Sequence, residues 1–104
     1  MIARTWHGRT PAAKAAEYQQ YLERTGVRDY AATPGFRGIL LQRWVEGDVA
    51  HFEITTLWDS VHAIRGFAGD DPTRARYYSS DDDFLLEREP RVRHAEVMVA
   101  QLPS

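Results

Sequence analysis

The chain has 104 residues, 43% of them hydrophobic and 27% charged, with 13 Lys and Arg against 15 Asp and Glu. One domain over residues 1–104 is expected, and a net charge of −2 offers no basic surface for a nucleic-acid backbone. The absence of cysteine excludes disulfides, thiolate nucleophiles and Cys-ligated metals, and the apolar runs fall far short of the roughly 20 residues that cross a bilayer.

Residues 2–7 are β-prone, with Ile2, Arg4 and Trp6 on one face and Ala3, Thr5 and His7 on the other. No apolar leader core is present there, so a cytoplasmic protein without membrane contact is expected. Thr10-Pro11 predicts a helix start, and Ala15, Tyr18 and Leu22 recur at helical spacing with Tyr21 beside them. Gly26 is the expected left-handed end of that helix, Val27–Tyr30 a short turn, and Thr33-Pro34-Gly35 a loop.

The centre reads as a hairpin. Phe36–Glu46 and Val49–Trp58 are β-rich and joined by Gly47-Asp48, which suits a two-residue turn with Gly first and sets Glu46 opposite Val49. That register puts Ile39, Leu41, Arg43 and Val45 with Ala50, Phe52, Ile54, Thr56 and Trp58 on a face for helices. Phe36, Leu40, Gln42 and Trp44 share the other face with His51, Glu53, Thr55 and Leu57. Asp59 is the expected cap of a second helix striped by Val61, Ile64, Phe67 and Ala68. Residues 70–90 are irregular, with a helical turn over Pro72–Tyr77 and a solvated acidic loop at Asp81-Asp82-Asp83; a last strand over Arg91–Gln101 follows.

The order β-α-β-β-α-β predicts an α+β, ferredoxin-like fold: a four-stranded antiparallel sheet with both helices on one face. Phe36, Leu40, Trp44, Leu57 and Met98 then form an apolar helix-free face, which a second copy of the chain can cover; a homodimer is the expectation.

Thr33-Pro34-Gly35-Phe36-Arg37-Gly38 opens the second strand, Thr56-Leu57-Trp58-Asp59-Ser60 closes the third into a helix, and Arg76-Tyr77-Tyr78 precedes the last strand. This pattern resembles the antibiotic biosynthesis monooxygenase superfamily of dimeric α+β barrels over nearly the whole chain. The resemblance implies a small-molecule pocket between helices and sheet, and a cofactor-independent monooxygenase acting on a small aromatic or polycyclic substrate. The haem-degrading branch carries Asn, Trp and His where this chain has His7 (to within a residue), Phe67, and Tyr77 or Tyr78, so no haem ligand carries over. A non-catalytic ligand-binding or stress-related barrel is the alternative.

Four residues are candidates for chemistry. His7 ends the first strand with a side chain that titrates near neutrality, while Arg76, Tyr77 and Tyr78 lie where the chain would cover a pocket and would hold an oxyanion or move a proton. Arg43, Trp58, Phe67 and Tyr78 are the expected substrate contacts, Arg43 because a cation among apolar side chains needs a partner. His51 with Glu53, and His94 with Glu96, read as polar ladders in the barrel, and neither metal nor cofactor is expected. The enzyme reading requires a roomy pocket with convergent polar groups.

Overall fold

The computed structural model describes residues 1–103. Strand β1 (Ile2–Pro11) is followed by a 3-10 turn (Ala12–Lys14), helices α1 (Ala15–Arg24) and α2 (Gly26–Ala31), strands β2 (Phe36–Glu46) and β3 (Val49–Trp58), and helix α3 (Val61–Ala68). A second 3-10 turn (Ser79–Asp83) and strand β4 (Arg93–Glu96) complete the order. The four strands form one antiparallel sheet in the order β2-β3-β1-β4. This is the expected α+β, ferredoxin-like arrangement.

Period-two alternation organises the sheet. Every second residue of β3, from Ala50 to Trp58, is buried against the helices, and Arg4, Trp6, Gly8 and Thr10 of β1 are buried on the same side. Tyr18, Tyr21 and Leu22 of α1, Tyr30 of α2, and Ile64 and Phe67 of α3 close over them as one core. Gly47 (φ 61) opens the hairpin turn and Glu46 pairs with Val49, as its sequence predicts. Among the described residues, no helix is long and apolar enough to cross a membrane.

Several local expectations are corrected. Pro11 ends β1 instead of starting a helix, because its partner Val49 extends the β1–β3 ladder that far; α1 begins at Ala15. Gly26 starts α2 and has no positive φ. Ser60, not Asp59, caps α3: its hydroxyl accepts from Ala63 N at 3.1 Å, while Asp59 pairs with Arg37. A bulge between Phe36 and Gly38 places Phe36 opposite Trp58, on the helix side. The two rings meet edge-on at 5.7 Å, so Phe36 leaves the helix-free face for the core. Just before it, Gly35 (φ 89) passes so close to α3 that a Cβ there would lie 2.5 Å from that of Ala63.

Strand β4 is shorter than expected. Its register sets Arg4 opposite His94 and Ile2 opposite Glu96, so His94 and Glu96 face the helix side, away from His51 and Glu53. Pro72–Tyr77 is not helical; an isolated bridge joins Arg74 to Arg91 instead. Residues 69–92 thus form a strap along the sheet margin.

Trp58 is fully buried, touching Tyr30, Phe36 and Phe67, and its Nε1 donates to Thr56 Oγ1 at 2.7 Å. Trp58→Ala is expected to lower the unfolding free energy by about 3–5 kcal/mol, measured by denaturant unfolding; a loss under about 1 kcal/mol would mean that this core is not built around the indole.

Candidate functional site: the pocket beneath the strap

Helices, sheet and strap enclose a cavity of about 20 Å³, lined by Trp6, Tyr30, Phe67, Arg76, Tyr77 and Tyr78 together with parts of α1 and Asp81. Strand β1 supplies Trp6 through its alternation, α2 supplies Tyr30 and α3 supplies Phe67. The strap contributes the polar groups. Trp6 Nε1 donates to the Tyr77 hydroxyl at 3.1 Å, which donates to the Glu89 carbonyl at 2.5 Å. The Tyr78 hydroxyl donates to Asp29, which also receives Arg76 Nη2 at 3.3 Å. Arg76 lies 4.8 Å over the Phe67 ring and 5.1 Å over that of Tyr78.

Asp81 is the group that reading the acidic run as solvated missed. It is 3% exposed, accepting from the Tyr18 hydroxyl at 2.9 Å and from Tyr78 N at 2.6 Å. Burial still pushes its carboxyl above the ordinary carboxylate value. The only sequence signal was its phase within the run: one aspartate of three turns inward in the 3-10 segment. Burial likewise raises the phenols of Tyr18, Tyr30, Tyr77 and Tyr78. At neutral pH these tyrosines are hydrogen-bond donors, not phenolate bases.

Of the sequence candidates, Arg76, Tyr77, Tyr78 and Phe67 converge on this pocket. Trp58 stands behind it in the core. Arg43 does not reach it: the side chain is exposed on β2 and donates to Gln19 Oε1 at 3.0 Å, so a neutral amide serves as its partner. His7 also lies apart. Because Trp6 takes the pocket side of β1, His7 must face the opposite, helix-free surface.

That open face carries its own polar chain. His7 Nδ1 meets Glu89 Oε2 at 2.5 Å, and His7 Nε2 meets His51 Nδ1 at 2.9 Å. His51 lies 3.4 Å from Glu46 and stacks on Trp44 with ring centroids 4.8 Å apart. Leu40, Leu57 and Thr55 border a groove of about 400 Å³, bounded across from them by the C-terminal residues Val97, Val99 and Leu102. Leu40 and Trp44 stay exposed. Among the described residues, no three His, Asp or Glu side chains are arranged to hold a metal ion.

Compared by sequence, the chain matches no family model and no curated protein. Its fold does match solved structures. A point-substituted MhuD with two manganese protoporphyrin IX molecules bound per active site aligns at a TM-score of 0.62 and 19% identity, over 99% of this chain and 100% of that one. The haem-degrading protein Rv3592 from Mycobacterium tuberculosis, in a haem-free form, aligns at 0.60 and 20% identity, over 97% and 99%. At these identities the likeness is one of fold: the chain shares the architecture of these two proteins over nearly its whole length.

The residues present do not fit a haem. No His lines the space, and the hydroxyls of Tyr77 and Tyr78 are committed to Glu89 and Asp29.

His94 stands opposite Arg4 in the β1–β4 ladder. Burial, with the Arg4 charge, holds its imidazole below the ordinary 6.5. As pH falls the unfolded chain takes the proton first, so the stability tied to neutral His94 is present above about pH 6.5 and is lost below it. The stability difference between wild type and His94→Gln, measured by denaturant unfolding, is expected to shift against the wild type between pH 7.5 and pH 5. A pH-independent difference would contradict this assignment.

Proposed function

We propose that the protein binds a small aromatic or polycyclic molecule between helices and sheet, beneath the strap, and oxygenates it without a cofactor. The observation that carries this reading is the convergence of Trp6 Nε1, Tyr77, Tyr78 and Arg76 on one enclosed space walled by aromatic rings. Such a site holds a planar ring by its faces and a ring oxygen by neutral donors and a guanidinium. A phenol that yields its proton to solvent as it binds is held as its anion and is electron-rich enough to react with oxygen. One oxygen atom enters the ring, which is oxidised to the quinone, and the other leaves as water with the two hydrogens the ring gives up. The protein's part is to bind, orient and exclude water.

With the strap seated, the space holds about one water, not a ring system. Entry therefore requires the strap to lift. Its inward contacts are side-chain hydrogen bonds from Arg76, Tyr77, Tyr78 and Asp81 together with the rings of Tyr77 and Phe84 packed on Trp6, Tyr18 and Tyr21, and these are what opening must break. The tight closure favours a second reading, a barrel that binds a ligand without turning it over. Oxygen uptake by purified protein with 1-naphthol and no added cofactor separates the two. Uptake that Tyr77→Phe reduces at least tenfold is expected; saturable quenching of tryptophan fluorescence without uptake would leave the binding reading alone, and neither signal would reject both.

We also propose that a second copy covers the open face, where Leu40, Leu57 and Trp44 lie uncovered by helices. Light scattering at micromolar concentration is expected to give twice the chain mass, falling to the chain mass in Trp44→Asp. A wild-type monomer would overturn this.

A further inference from the structure

Among the described residues, Arg4 is the one cation in the core. Its residue is 1% exposed, held on the helix side of β1 between Ile2 and Trp6. A buried guanidinium ordinarily sits against a carboxylate, because an uncompensated charge in the interior is costly. Arg4 has none: none of the ion pairs among the described residues includes it. Its partners are neutral. Nη2 donates to the Arg74 carbonyl at 2.9 Å, Nη1 reaches the Tyr30 hydroxyl at 3.5 Å, and the group lies 5.5 Å from the centre of the Phe67 ring. Its Nε, though buried, has no partner among the described residues.

The residue across the ladder shares this condition. His94, paired with Arg4 on β4, also has a buried nitrogen, Nε2, without a partner. Asp81, the one core acid among the described residues, is engaged by Tyr18 and Tyr78 and is not paired with Arg4. Two polar side chains able to donate thus stand on adjacent strands with no anion between them. The best acceptor Arg4 has is a strap carbonyl, and Tyr30 and Phe67, which touch Arg4, also wall the cavity. With the strap lifted, Arg4 would lose the Arg74 oxygen, leaving Nη2 as well as Nε without an acceptor.

We infer that Arg4, with His94, is an anion-recognition subsite, and that the ligand carries an oxyanion, a carboxylate or phenolate, which takes the place of the Arg74 carbonyl. This rests on the pocket reading above and narrows it to anionic aromatic ligands. Arg4 donates to the ligand oxygen through its planar fork, beside the Phe67 ring that the guanidiniums of Arg4 and Arg76 both approach.

The test compares 2-naphthoate with its uncharged counterpart 2-naphthamide by tryptophan fluorescence and calorimetry at pH 7.5. Wild type is expected to bind the carboxylate at least tenfold more tightly than the amide. Arg4→Met is expected to abolish that preference while still binding the amide. Equal binding of the two by wild type, or an unchanged preference in Arg4→Met, would overturn the subsite and leave the pocket standing. Binding of neither probe by wild type would overturn the pocket and the subsite with it. Should Arg4→Met fail to fold, as judged by circular dichroism, Arg4→Lys keeps the charge but loses the fork. A several-fold weaker preference for naphthoate is then expected, and an unaltered one would refute the role.

Discussion

Each side chain of β1 and β3 must face either the helices or the open surface, and adjacent residues must choose opposite sides. The two strands pair over ten residues, from Ile2 opposite Trp58 to Pro11 opposite Val49, with no break in register. A slip of one residue would expose Phe52, Ile54 and Trp58 and bury Glu53 and His51, so the hydrophobic pattern holds the register firmly. This single constraint separates the chemistry of the molecule. Arg4 and Trp6 go inward with the tyrosines, and His7 goes outward to His51.

The strap is the element that touches both sides. Strand β4 covers β1 only from Ile2 to Thr5, and beyond that the free edge of β1 is met by Leu86 N, which donates to the Arg9 carbonyl at 2.9 Å. From this margin Tyr77, Tyr78 and Asp81 reach into the pocket, while Glu87 and Glu89 turn to Arg9 and His7 on the open face. Glu89 joins the two directly: its carbonyl accepts from Tyr77 and its carboxylate meets His7. Lifting the strap to admit a ligand therefore disturbs the polar chain on the surface where a second copy is proposed to sit.

Features repeated over several residues were legible in the sequence, and features made by one residue were not. The alternation in β3, the Gly47-Asp48 turn and the helical spacing of Tyr18, Leu22, Ile64 and Phe67 each carry redundant information, and the sheet order follows from them. The bulge at Phe36–Gly38 is a single added residue without a composition of its own, yet it moves Phe36 to the other face. Pro11 looks like a helix start because Pro is well tolerated there, but the edge-facing end of a strand tolerates it equally. Asp81 differs from Asp82 and Asp83 only by its phase in a short turn. In the site, Arg76, Tyr77 and Tyr78 were found through their position after the second helix and Phe67 through its place on that helix's apolar stripe; Arg4 was placed on the correct face, but nothing local marks it as lacking a counter-ion.

Arg4 is difficult to explain as a device for stability alone. Replacing a buried ion pair by apolar groups of similar volume is often neutral or stabilising, and a buried cation without its anion is a worse case than a pair. The strand needs only bulk at this position, since Thr56 beside it and Ile2 before it already continue the core. The neutral acceptors around Arg4 satisfy part of the guanidinium and leave Nε bare, an arrangement that keeps the charge in place without neutralising it. A site prepared for an anion has these properties: donors fixed by surrounding rings, a charge left unmatched in the free protein, and an acceptor borrowed from a segment that has to move before anything enters.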